Sequence, residues 1–138
     1  MIRMILTLMS VTMLAGCATS DMLNNDFPSV VEVSAPKGLI GAWTGSSGPY
    51  STTMVIKESG AGLACYSWNG KDTTVKIKYD GREIRWQDGA RLKIKRINDS
   101  YFIASAPYYM GSDYVFSKDT KLENASPYCE KELSNHLN

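Results

Sequence analysis

Residues 69–99 read NGKDTTVKIKYDGREIRWQDGARLKIKRIND, and their alternation decides the fold class. Thr73, Val75, Ile77 and Tyr79 share one face of an extended chain, while Thr74, Lys76 and Lys78 share the other. Ile84 and Trp86 point one way and Glu83, Arg85 and Gln87 the opposite way; Leu92 and Ile94 oppose Arg91, Lys93 and Lys95. Side chains of a strand alternate between its faces, so each run presents one oily and one wet side. Between the runs stand Asn69-Gly70, Asp80-Gly81, Asp88-Gly89 and Asn98-Asp99. Asn-Gly and Asp-Gly tolerate positive φ at both centres of a type I′ turn, the connection that joins strands tightly.

Outward from this core the pattern persists. Runs at 40–45, 52–58, 62–68, 100–106 and 113–117 bring the expectation to about eight short antiparallel strands, an all-β meander. No long amphipathic helix interrupts it, and residues 129–137 are read as a short C-terminal one. A closed barrel removes exposed strand edges and is the expected arrangement, with a β-sandwich as the alternative. Trp43, Met54, Ile56, Val75, Ile77, Ile84, Trp86, Leu92 and Ile94 are expected to fill the interior and leave no roomy ligand cavity.

The first twenty residues are of a different kind. Met1-Ile2-Arg3 is positive, and Met4 to Leu14 is uncharged and apolar apart from Thr7, Ser10 and Thr12. That length suits a signal peptide and falls short of the roughly 20 residues needed to span a bilayer. The run ends in Leu14-Ala15-Gly16-Cys17, which resembles the bacterial lipobox. The resemblance implies cleavage before Cys17, lipid on its thiol and acylation of the new amino group. One acyl chain holds a protein only marginally, whereas several anchor it stably. Ala18 follows, in place of the Asp that retains such proteins in the inner membrane, so the resemblance implies sorting to the outer membrane, periplasmic side. The expected division is a signal peptide over 1–16, a lipidated N-terminus and flexible tether over 17–37, and a β domain over 38–138.

With Cys17 assigned to lipid, Cys65 and Cys129 remain. In an oxidising compartment such a pair is read as a disulfide. Two thiols do not make a zinc site, and the single histidine, His136, lies two residues from the chain end. No metal, cofactor or catalytic residue is therefore expected: there is no phosphate loop, and no credible Ser-His or Cys-His pair. Loss of Arg3 with the signal peptide leaves 14 basic residues of the original 15 against 14 acidic ones, a neutral balance that recommends no nucleic-acid partner.

Two features could serve binding. Residues 71–97 hold nine basic side chains against four acidic ones, and Lys76, Lys78, Arg85, Lys93 and Lys95 would gather on one outward sheet face. That face suits an anionic envelope component, such as lipid headgroups or lipopolysaccharide, or an acidic protein; the favoured alternative is a solvated face that keeps the sheet soluble. The second is the loop with Tyr108, Tyr109 and Met110, residue types enriched at protein interfaces. The expected role is a non-catalytic binding or structural factor; the alternative is an inhibitor or immunity-type protein that blocks a periplasmic hydrolase.

Two resemblances bear on this. Gly41-Ala42-Trp43 resembles the G-x-W opening of lipocalin-type barrels. Ala35-Pro36, Leu39, Gly41, Trp43, Gly48-Pro49, Val55-Ile56, Gly60, Leu63 and Cys65-Tyr66-Ser67-Trp68, with the later Cys129, resemble the YedD-like lipoproteins of enterobacteria. That resemblance implies lipidation and a disulfide, and it carries no activity across.

Overall fold

The computed structural model describes residues 24–107 and 111–137. Eight strands among them run β1 Gly41–Ser47, β2 Tyr50–Ile56, β3 Ala61–Trp68, β4 Lys71–Tyr79, β5 Glu83–Trp86, β6 Arg91–Ile97, β7 Tyr101–Ser105 and β8 Asp113–Lys118. Each pairs antiparallel with the next, and β8 returns to β1, so the sheet is a closed barrel. All eight expected strands form, each bound lying within two residues of the expected one. Only Asn69-Gly70 forms the tight turn with two positive φ angles, 51° and 76°. At Asp80 and Asn98 the side-chain oxygen instead accepts backbone N–H groups two and three residues on, and at Asp88 one two residues on. These Asx turns compete with the two-residue hairpin and lengthen the connections.

Closure is made at Trp43↔Lys118, Thr44↔Ser117 and Gly45↔Phe116. A Cβ at position 45 would lie 2.3 Å from the carbonyl oxygen of Val115, so the seam requires glycine there. One end of the barrel is filled. Leu39 enters it from a 3-10 turn over Lys37–Leu39, and its carbonyl accepts the indole N–H of Trp43 at 2.8 Å. Phe102 meets Trp43 edge-on and stacks on Phe116, while Met54, Ile56, Ile77 and Ile84 complete the packing.

A second apolar cluster lies outside the barrel wall. The helix α1, Pro127–Leu133, is capped by the Ser126 hydroxyl, which accepts the amide of Cys129. It buries Cys129 and Leu133 against Ala42, Val55 and Cys65. Cys65 and Cys129 are bonded, with Cα atoms 5.6 Å apart and positions 64 apart in sequence. The helix starts two residues earlier than the expected 129–137 and ends at Leu133, giving way to a 3-10 turn at Ser134–His136. Beside it, buried Asp119 accepts the Thr44 hydroxyl at 2.9 Å and the Asn124 amide at 3.0 Å, tying the chain after β8 to β1.

The tether expectation fails from residue 24 onward. Residues 24–36 form a strap along the outer face of β4 and β5. Near the filled end, the amide of Val33 donates to Tyr79 and that of Ala35 to Glu58. A Cβ on Gly60 would come within 2.0 Å of the Val33 carbonyl oxygen, so the strap rests directly on that backbone. Further up, Lys78 Nζ donates to the carbonyls of Phe27 and Val30 at 3.1 and 2.8 Å and sits over the Phe27 ring. Arg85 pairs with Asp26 and Asp80, and Asn25 donates to the carbonyl of Gln87. A polar, aperiodic segment can dock in this way because barrel side chains satisfy its backbone carbonyls, a signal that hydrophobic periodicity does not carry.

Removing the disulfide by Cys65→Ala with Cys129→Ala should lower the unfolding free energy of soluble 18–138 by about 2–5 kcal/mol. Urea titration measures this, and an unchanged midpoint would contradict it. A second expectation concerns acid. Burial pushes the Asp80 carboxyl up, but the amides of Glu83 and Arg82 and the Arg85 guanidinium together outweigh it and hold its pKa below the ordinary value. A depressed carboxyl stabilises the fold above its unfolded pKa, and the benefit is lost as pH falls from about 4 through the lower folded value. The Arg82 and Glu83 amide resonances should shift over that interval, and Asp80→Asn should remove the step.

Candidate functional site: the open mouth of the barrel

The other end of the barrel is not filled. The β1–β2, β3–β4, β5–β6 and β7–β8 connections surround it, and a cleft of about 560 Å³ opens there. This corrects the expectation that no roomy cavity exists. The cause is the layering of the inward positions. Large side chains such as Trp43, Met54, Ile56, Phe102 and Phe116 crowd the filled end, whereas at the mouth Ser47, Thr73, Ala90 and Ala106 stand between the larger Tyr66, Trp86 and Tyr114. Small residues there leave volume that a census of large ones does not reveal.

The lining is aromatic with charge at its margin. Tyr66 stacks on Trp86 with centroids 4.8 Å apart, and Tyr50 packs against both Tyr66 and Trp68 at 5.8 Å. Tyr114 and Leu92 add further apolar surface. Lys71 and Arg91 bring positive charge and Asp88 one negative charge, whose carboxylate accepts the Tyr66 hydroxyl at 3.1 Å. The rim aromatics Trp68 and Tyr50 remain 45% and 41% exposed. Trp86 also lines the cleft, and its buried indole N–H has no partner among the described residues. A cleft of this size, mostly apolar with few polar groups, matches small-molecule sites.

The basic sheet face fares differently. Lys78 and Arg85, proposed from sequence as binding residues, are engaged by the strap. Lys95 stands at a register shift between β6 and β7 and pairs with Asp113 at 2.8 Å. Lys76 and Lys93 stay exposed on that face. Cys17 and the loop candidates Tyr108, Tyr109 and Met110 lie outside the described residues. The loop nonetheless leaves from Ala106 and returns to Tyr114, both of which line the cleft. Among the described residues no group of His, Cys, Asp or Glu could hold a metal ion. The sequence offered one clue to the mouth: Tyr66 and Trp68, two apart, must share a face.

Residues 24–133 match the family model described as the bacterial lipocalin LPS transport optimiser YedD. The chain belongs to the YedD family. The matched span begins where the strap begins and ends with α1. In fold, this YedD-family chain is similar to the crystal structure of a lipoprotein YedD from Klebsiella pneumoniae subsp. pneumoniae, with a TM-score of 0.52, 19% identity, and coverage of 80% of this chain and 93% of that one. No curated protein matches. A lipocalin barrel is a binding-type fold, and the mouth is where this member offers an apolar concavity with charge at its edge.

An anionic aromatic probe such as anilinonaphthalene sulfonate should bind the mouth. Trp68→Ala with Lys71→Glu should weaken that binding about tenfold or more, as expected when about 1.4 kcal/mol or more of contact is removed. Lys76→Glu with Lys93→Glu should leave it unchanged. The reverse pattern would move the site to the sheet face.

Proposed function

We propose that this chain is a lipoprotein of the outer membrane, lipidated at Cys17 and facing the periplasm, that binds rather than catalyses and assists lipopolysaccharide delivery. The observation that carries the reading is the mouth: aromatic walls from Tyr50, Tyr66, Trp68 and Trp86, with Lys71 and Arg91 at the edge. Lipopolysaccharide joins acyl chains to phosphates, and this lining offers a partner for each. Cation and aromatic together suit an amphiphile better than either alone. The volume accommodates part of such a molecule, which fits a helper that contacts its cargo in passing. The description of the matched family as an optimiser of LPS transport supports the same role. Tyr108, Tyr109 and Met110 are proposed to contribute contacts to an envelope partner.

In a strain deleted for the gene, sensitivity to large antibiotics that lipopolysaccharide normally excludes should rise. Wild-type protein should restore resistance and label with palmitate. Cys17→Ala should not label, and folded Trp68→Ala/Lys71→Glu should label yet fail to restore resistance. Full restoration by the mouth variant would contradict the role given to the mouth, and palmitate on Cys17→Ala would contradict the anchor.

A further inference from the structure

The strap fixes more than the N-terminal segment: it decides where the chain leaves the barrel. From Leu39, buried at the filled end, it climbs past Val33 at the β4–β5 turn and past Phe27 under Lys78. It arrives at Asn25, whose amide holds the carbonyl of Gln87, and Asn24 and Asn25 lie beside Gly89 and Ala90. These belong to the β5–β6 turn, one of the four connections around the mouth, and Trp86, Ala90 and Arg91 border both places. The chain therefore exits at the open end although the fold begins at the closed one.

We propose that the strap holds the barrel mouth-down on the membrane that carries its anchor, with Trp68, Tyr50 and Lys71 against the phosphate-bearing lipid headgroups. This rests on the anchoring at Cys17 proposed under the function. Seven Cα steps separate Cys17 from Asn24, and whatever their conformation they reach at most about 25 Å. The nine-residue strand β4 measures about 30 Å along its length, or roughly 22 Å along the axis of a tilted barrel. To place the closed end on the membrane, the seven steps would have to run almost fully extended down the whole wall. Placing the mouth there requires no such extension.

The two ends also differ in chemistry. The mouth rim exposes a tryptophan, a tyrosine and a lysine, side chains that favour the headgroup level of a bilayer. The closed-end turns at 57–60, 80–82 and 98–100 are charged and polar and carry no aromatic residue. In this orientation the cleft opens onto the lipid surface, so an amphiphile could enter it without crossing water.

The test uses full-length lipidated protein reconstituted into vesicles of phosphatidylethanolamine and phosphatidylglycerol that contain headgroup nitroxide lipids. One dye is attached either at Pro49→Cys, on the mouth rim, or at Ser59→Cys, on the closed-end β2–β3 turn. Flotation with the vesicles is checked first. Failure to float would overturn the anchoring reading and this proposal with it. Given flotation, the rim dye should be quenched several-fold more than the closed-end dye. Equal or reversed quenching would overturn the orientation alone and leave the anchor standing. Asn25→Ala with Asp26→Ala frees the start of the strap without touching the barrel core, and should bring the two dyes toward equality. Undiminished discrimination in that variant would show that the strap does not set the orientation.

Discussion

The closure of β8 onto β1 is the constraint on which the rest depends. It is a short seam of three residue pairs, and it forms only because Gly45 lets the backbone of Val115 approach closely. Trp43 sits in the first of those pairs, so the residue that anchors the seam also fills the closed end with its ring and ties Leu39 to it with its N–H. Closure therefore does two jobs in one place. It abolishes the sheet edges that would otherwise invite pairing with other chains, and it concentrates the bulky side chains at one end.

The barrel consequently has unlike ends. Leu39, Trp43, Phe102 and Phe116 pack the axis of one end, whereas at the other Ser47, Thr73, Ala90 and Ala106 stand between the aromatic walls and leave the cleft open. The disulfide and α1 work on the outside of the wall, where Cys65, on the outward face of β3, would otherwise meet water. Their position keeps the stabilising cross-link away from the cleft. The mouth is thus free to carry exposed aromatics that a stability argument alone does not explain.

Much of this was legible from residues alone. Period-two alternation and turn dipeptides placed all eight strands, because one face of each must be buried and a one-residue slip would invert it. Cysteine parity and compartment found the Cys65–Cys129 pair. The cleft was not legible, since the choice between large and small inward residues matters only once register sets their height along the barrel. Nor was the strap: Asp26, Phe27 and Val30 show no periodicity, and their partners Lys78 and Arg85 lie about fifty to sixty residues away in sequence. Those two cations looked like a binding surface because a charge count does not distinguish a solvated lysine from one that holds a backbone carbonyl. The G-x-W opening was informative for a physical reason, as glycine and tryptophan there begin the strand that closes the barrel.

The central claim is that the barrel mouth is the functional concavity. Its most direct test is an NMR measurement on soluble 18–138 with a short-chain anionic phospholipid. Intermolecular NOEs should connect the acyl protons to the Trp86 indole, the Leu92 methyls and the Tyr66 ring, with the Trp86 indole N–H shifting on binding. NOEs confined to Lys76 and Lys93 on the outer sheet, or none to the mouth at saturating lipid, would contradict the claim.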